Sequence, residues 1–437
     1  MKPINLLYQT WNGNRNLPNS IPFWKRDWDT NRSYESVKFL YLEDLLTKFH
    51  IPYKRFKPKH VQENKKYFFI IEPEWIELAF FYENVFHFID DEVLQQIQNP
   101  NLDVNVLMFF PTEGFSLDME PFLKSIVYSL QSKAIPPEKL YFVFGDLRFK
   151  ENFESYRQLH PEVHCDINTF GWDVFSSNYK LEYDCLYKRG KDAERNKSTD
   201  LIDEIDTDTI RDKIFLCKNA NPRPHRVVLL SQIYKMGWDK YGIISFLNRY
   251  FTPNPPSVDY YDAFLGKDSH EAFKYGEEFL SKTPIVLDYN KDSINEDLNQ
   301  RRLVKEHFEQ TYFSLVTETV VENKPHEPLF LSEKVYMPMV NYHPMLVLGG
   351  SRTLENLKEQ GYETFPELFN EAYDEHHSKK HRYKIVWENL KRIVEMDKKE
   401  LHKIYVDIIP KLKHNHDLYI NKNHVKEYKP LWEFLDV

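Results

Sequence analysis

The stretch Phe313–Thr319, FSLVTET, and the stretch Phe330–Phe365, FLSEKVYMPMVNYHPMLVLGGSRTLENLKEQGYETF, decide the fold of this chain between them. Phe313 to Thr317 is β-prone. Ser332 suits a helix N-cap and puts Glu333 and Lys334 in the first turn that follows. Pro338 shortens or bends that helix. Met345 to Leu348 is a second apolar strand, after which Gly349-Gly350-Ser351 opens a helix that Gly361 closes. Strand, helix, strand, helix is a parallel α/β pattern, and such sheets take ligands at the carboxyl ends of their strands. Thr317 and Glu318 end the first strand there. Lys334 near a helix start is electrostatically unfavourable unless an anion is present, which points to anionic oxygens as the ligand. Neighbours in sequence do not face one another on a helix, so Glu333 and Lys334 are not expected to pair.

A second constellation is CKNANPRPHRVVLLSQIYKMG, Cys217–Gly237. A strand ends near Asn219, a Pro/Asn turn follows, and Pro222 or Pro224 suits the first turn of a helix. Arg226 then stands at a helix start beyond a strand end, where a guanidinium grips a diphosphate through two nitrogens. Arg223 is the alternative, and His225 is expected at the surface.

The Ser-Glu-Lys helix, the apolar strand and the Gly-Gly turn resemble the donor-site motif of the α-1,3-fucosyltransferase family, and more closely the fucosyltransferase-like glycosyltransferases of phage and bacterial type. The resemblance runs from about Lys213 to Asn415. It implies a GT-B fold, two Rossmann-like α/β domains facing a cleft, and a nucleoside-diphosphate sugar as donor. It implies Lys334 and Arg226 on the diphosphate, Glu333 on ribose or sugar hydroxyls, and an inverting transfer. Asn219, Thr317, Glu318 and Tyr336 complete the expected donor site.

The 437 residues, 41% hydrophobic and 29% charged, suit two or three globular domains. Apolar runs Ile4–Tyr8, Tyr67–Ile71, Val104–Phe110 and Leu140–Phe144 predict buried parallel strands in an acceptor-side domain, 1–190. Helices are expected at Tyr34–Phe49 and Pro121–Ser132. The polar segment Lys188–Asp212 supplies a linker, set at 191–212. A donor domain at 213–415 follows, with one or two long helices over Tyr383–Leu412. A tail, 416–437, is expected to return to the first domain.

No apolar run approaches the roughly 20 residues of a membrane helix, and MKPINLLYQTWNGN lacks a signal-peptide pattern, so a cytoplasmic enzyme is expected (host cytoplasm if viral). Cys165, Cys185 and Cys217, odd in number and widely spaced, fit neither a disulfide framework nor a zinc site. The letters Asp206-Thr207-Asp208 match a metal-binding Asp-x-Asp motif but sit in a polar linker. Asp259 and Asp262 flank tyrosines in a Pro-rich loop. Neither is expected to hold a metal, and metal-independent transfer follows as the expectation.

Inverting transfer needs a general base from the first domain. Glu113, beside Gly114, leads the candidates, with Glu72 and Asp146 behind it; each follows an apolar strand. The net charge of −9 gives no global attraction to nucleic acid. Against it, KFHIPYKRFKPKHVQENKK at Lys48–Lys66 is dense in cations and aromatics, and Trp24 and Trp28 lie upstream. This patch suits an anionic glycan, a lipid-linked acceptor or DNA with modified bases. A solvated loop and a non-catalytic glycan- or nucleic-acid-binding protein of the same fold are the alternatives. No Walker-type loop supports phosphoryl transfer.

Overall fold

Among the described residues, ten strands form two sheets, every ladder of which is parallel. The computed structural model describes residues 3–7, 42, 46, 51–71, 86, 89–111, 119–161, 165–176, 202, 204–247, 258–287, 304–321, 328–422 and 424–436. The chain divides into two compact units, Met1–Val174 with Asn423–Val437, and Phe175–Lys422. The chain thus parts at 174, ahead of the segment chosen from composition.

In the first unit the strands are β1 (Ile4–Leu7), β2 (Tyr53–Phe56), β3 (Tyr67–Ile71), β4 (Val104–Phe110), β5 (Leu140–Phe144) and β6 (Asn168–Gly171), ordered β2-β1-β3-β4-β5-β6. All seven residues of β4 are buried, as expected of a central parallel strand covered on both faces. Helices α1 (Asp91–Gln98), α2 (Met119–Ser132) and α3 (Phe149–Leu159) flank the sheet. Gly171 is required where it stands, because a Cβ there would lie 2.3 Å from the Asp146 carbonyl oxygen. The last helix of the chain, His424–Leu435, packs in this unit: Phe434 stacks on Phe170 and meets Tyr141 edge-on.

The second unit holds β7 (Phe215–Asn219), β8 (Gly242–Phe246), β9 (Phe313–Thr317) and β10 (Met345–Leu348), ordered β10-β9-β7-β8. In chain order its helices are α4 (Pro224–Lys235), α5 (Val258–Leu265), α6 (Ser269–Ser281), α7 (Lys305–Glu309), α8 (Glu333–Val340), α9 (Thr353–Glu359), α10 (Lys379–Glu395), α11 (Lys398–Asp407) and α12 (Ile409–Ile420). The last three replace the one or two long helices expected at Tyr383–Leu412. The terminal helix of the first unit is then α13. Gly361, at φ +92°, ends α9 in the left-handed conformation open to glycine.

Two expectations change here. Asp259 and Asp262 lie on α5, not in a loop. The described part of the expected linker is anchored: Arg211 is buried, donates to the carbonyls of Phe308 and Thr311 and to the Tyr405 hydroxyl, and stacks over the Tyr405 ring. A long guanidinium can reach into a packed unit from a polar segment, so composition alone misplaces it. The expected helix Tyr34–Phe49 lies outside the described residues apart from Leu42 and Leu46, both helical and buried. Among the described residues, no helix is long and apolar enough to cross a membrane.

Candidate functional site

In the second sheet the chain runs outward from β7 to β8, then returns past β7 to β9 and β10. The strand order reverses between β7 and β9. That switch point is where an open parallel sheet leaves a crevice at its carboxyl edge. Asn219 and Thr317 end the two strands there and are joined: Thr317 Oγ1 donates to Asn219 Oδ1 at 2.5 Å, and Asn219 Nδ2 reaches Cys217 Sγ at 3.2 Å. Both residues are buried, so they brace the floor of the crevice. Burial raises the Cys217 thiol to about 12, which keeps this sulfur neutral.

From β7 the chain enters α4 through Asn221-Pro222-Arg223, with Pro224 at the first helical position. His225 and Arg226 both turn across the switch point. The His225 ring N–H donates from Nε2 to the Glu318 carbonyl at 2.8 Å, and Arg226 donates from one terminal nitrogen to the carbonyls of Thr317 (3.0 Å) and Glu318 (3.2 Å). The other terminal nitrogen reaches the Asn221 carbonyl at 3.3 Å. His225 is therefore buried rather than a surface residue, and burial with the neighbouring Arg226 and Arg223 charges holds its ionisation well below the ordinary range. Burial and Arg223 also lower Arg226, to about 10, against the attraction of Glu318 and Glu333. It remains a cation at neutral pH.

Glu318 does not open to the crevice. It is 0% exposed, and its carboxylate accepts from the Ser332 N–H (3.0 Å), the Ser332 hydroxyl (2.7 Å) and the Thr319 N–H (2.9 Å). Ser332 in turn caps α8, accepting from the Lys334 N–H at 3.3 Å. The start of α8 is thus filled by the protein's own anion. Gly349 permits this, since a Cβ there would sit 3.2 Å from the Glu318 Cβ. Glu333 and Lys334 do pair: Lys334 Nζ lies 2.9 Å from Glu333 Oε1 and 3.1 Å from Ser332 Oγ. No helical turn precedes them, so the long lysine stem folds back over the cap. Both side chains are partly exposed, 23% for Lys334 and 15% for Glu333. Tyr336 lies one turn deeper and is 0% exposed, stacked on Tyr419. It faces the core, because the first turn alone reaches the strand edge.

The start of α9 is closed as well. Asp374 accepts from the N–H groups of Leu354 (2.8 Å) and Glu355 (2.9 Å). The start of α4 differs from these two. Its N-cap, Arg223, makes no side-chain cap and its first turn holds no acid. Among the described residues no acceptor takes the His225 backbone N–H. Two buried atoms beside it also have no partner, Arg226 Nε and Asn221 Oδ1. A donor and an acceptor left buried and unmatched at a strand edge are what a bound ligand would satisfy.

Of the expected base candidates, Asp146 is spent on structure: buried at 2% exposure, it accepts from the Arg148 N–H and from Asn152 Nδ2 at 2.9 and 2.8 Å. Glu72 and Glu113 lie outside the described residues, as do Trp24, Trp28, Cys185 and Lys48 to His50. Asp206 folds its own turn, accepting from the N–H groups of Asp208 and Thr209. Among the described residues no three His, Cys, Asp or Glu side chains are grouped to hold a metal ion. The Asn221 acceptor and the Asp374 clamp escaped sequence reasoning. The Asn/Pro turn signalled the first, whereas nothing local links Asp374 to a helix start twenty residues before it.

No protein-family model matches the chain. A comparison with curated protein sequences finds no match. Among solved structures, the chain is similar to an α,α-trehalose-phosphate synthase (UDP-forming) from Burkholderia vietnamiensis, with 10% identity and a TM-score of 0.34 over 85% of this chain and 74% of that one. So distant a likeness decides neither fold nor function.

Proposed function

We propose that the chain is a glycosyltransferase of GT-B architecture that moves a sugar from a nucleoside-diphosphate sugar to an acceptor hydroxyl, with inversion and without a metal. One observation carries the reading: the uncapped start of α4 at the switch point, with the buried, unpartnered Arg226 Nε beside it. Helix N–H groups and a guanidinium there suit a diphosphate. In the transfer the acceptor oxygen attacks the anomeric carbon, the bond from that carbon to the phosphate oxygen breaks, and the diphosphate leaves with the electron pair. Arg226, the α4 N–H groups and Lys334 stabilise the charge that develops on it. Glu333 takes sugar or ribose hydroxyls, with Asn221 Oδ1 as a further acceptor. Asn219, Thr317 and Glu318 hold this frame. The acceptor proton goes to a carboxylate of the first unit, Glu113 before Glu72. The acceptor hydroxyl belongs to a glycan or to a modified base in DNA, and the phage and bacterial resemblance suits a cytoplasmic enzyme.

A thermal-shift panel of nucleoside diphosphates and nucleotide-sugars tests this, run with EDTA and on Arg226→Lys. Binding to the native state alone raises the melting temperature by mass action. One nucleotide should give a clear shift, insensitive to EDTA and reduced in the variant. No shift with any nucleotide overturns the transferase and leaves a binding protein of the same fold.

A further inference from the structure

The strand β2 is the outer strand of the first sheet, paired among the described residues with β1 alone. It carries Lys54 and Arg55, and the chain leaves its carboxyl end through Lys57 and a tight turn, Pro58–His60, before returning to β3. Lys54, Arg55, Lys57, Lys59, His60 and Lys65 are all exposed, and Glu63 is the one acid among residues 51–66. Lys54, Lys59 and Lys65 form no ion pair with any described residue. The next lysine marks where the strip ends: Lys66 is used internally, donating to the Tyr141 hydroxyl at 3.0 Å and lying over the Tyr141 ring. Helix α1 meets the turn with Gln96, whose amide donates to the Pro58 carbonyl at 2.7 Å. Its acids Asp91 and Glu92 stand in its opposite turn.

Lysines on an edge strand guard against strand addition, and two would serve that purpose. Here the cations continue past the strand and round the turn. Their backbone positions are spread along the edge rather than gathered at one point, with Lys54 and Lys57 about 10 Å apart at the ordinary strand rise. A single phosphate asks for cations that converge on a point; a row of them fits a chain of phosphates. Of the aromatics expected to stack on bases, Phe56 is otherwise engaged, packed edge-on against Tyr67 at 5.1 Å. Recognition of this kind reads backbone charge and not bases. In this sheet the order reverses between β1 and β3, so the carboxyl end of β2, with Lys57, lies one strand away from the switch point of the first unit.

We infer that this edge docks the phosphodiester backbone of a nucleic acid, which carries the acceptor hydroxyl; the acceptor role rests on the transferase reading above. The test is fluorescence anisotropy of the full chain with a labelled single-stranded DNA, across a salt series. Lys54→Glu/Lys59→Glu is compared with Lys403→Glu/Lys413→Glu, two exposed lysines of the second unit. The edge variant should weaken binding more than tenfold and flatten the log K against log salt slope by roughly 1.4, at about 0.7 per lost contact on a single strand. The control should change affinity less than twofold. No binding, an equal loss in both variants, or equal affinity for a polyanionic glycan such as polygalacturonate overturns the inference. The nucleotide thermal shift on the same edge variant separates the two claims. A retained shift without DNA binding sinks this inference alone, and DNA binding without any nucleotide shift keeps the surface but removes its acceptor role.

Discussion

The starts of α4 and α8 stand on one strand edge, follow the two strands that flank the switch point, and end differently. At α8 the sequence supplies both cap and counter-charge: Ser332 accepts from the helix and Glu318 accepts from Ser332. At α4 it supplies cations and leaves the cap out. The Ser-Glu-Lys motif marks α8, yet its helix start is already satisfied by an internal carboxylate. A helix end that looks suited to an anion in sequence need not be vacant, and the neighbour with the poorer cap is the better seat.

Arg226→Ala should have the largest effect on this comparison. It should lower affinity for the nucleoside diphosphate at least a hundredfold by calorimetry. It should also destabilise the unit by about 1.5–3 kcal/mol in denaturant, the range for hydrogen bonds from a charged group. Affinity unchanged beside a loss of stability would make Arg226 a brace alone. Next, Glu318→Gln leaves the α8 cap with an amide where a carboxylate stood and should cost roughly 1–3 kcal/mol. If α8 itself were the anion seat, this change would strengthen diphosphate binding; the account expects no gain.

Acid should act on the same unit through its buried histidines. His343 is lowered to about 3, chiefly by burial and then by Arg211, while its ring nitrogens bond the Ser314 hydroxyl and the Thr311 carbonyl. A histidine whose folded pKa is depressed binds fewer protons folded than unfolded. Its contribution is therefore whole above the unfolded value near 6.5 and is lost as pH falls. Between pH 7 and pH 5 the loss is on the order of 2 kcal/mol for each such histidine. Denaturation midpoints of the wild type and His343→Asn across that range should converge as pH drops. Parallel curves would remove the buried neutral ring. Lys334→Ala should have the smallest structural effect, under about 1 kcal/mol because the Glu333 pair is partly exposed. It should still weaken diphosphate binding about tenfold.

Much of the architecture was legible because buried parallel strands are apolar runs: Tyr67–Ile71, Val104–Phe110, Phe313–Thr317 and Met345–Leu348 fall where the sequence puts them. Ser332 was legible as a cap for the same local reason. The edge strand β2 was not, since YKRF alternates weakly and carries two charges. The roles of Glu318, Asp374 and Arg211 were hidden because each is set by a partner distant in sequence. Asn219 and Thr317 were recognised as strand ends at the site, but their bond to each other shows only once β7 and β9 lie side by side.

The most direct measurement is a crystal structure of the chain with the nucleoside diphosphate selected by thermal shift. The account predicts the diphosphate at the start of α4, with Arg226 Nε and the His225 N–H as donors and the Ser332–Glu318 cap intact. Phosphates seated on Ser332 with Glu318 displaced, or bound away from the β7–β9 switch point, would contradict it.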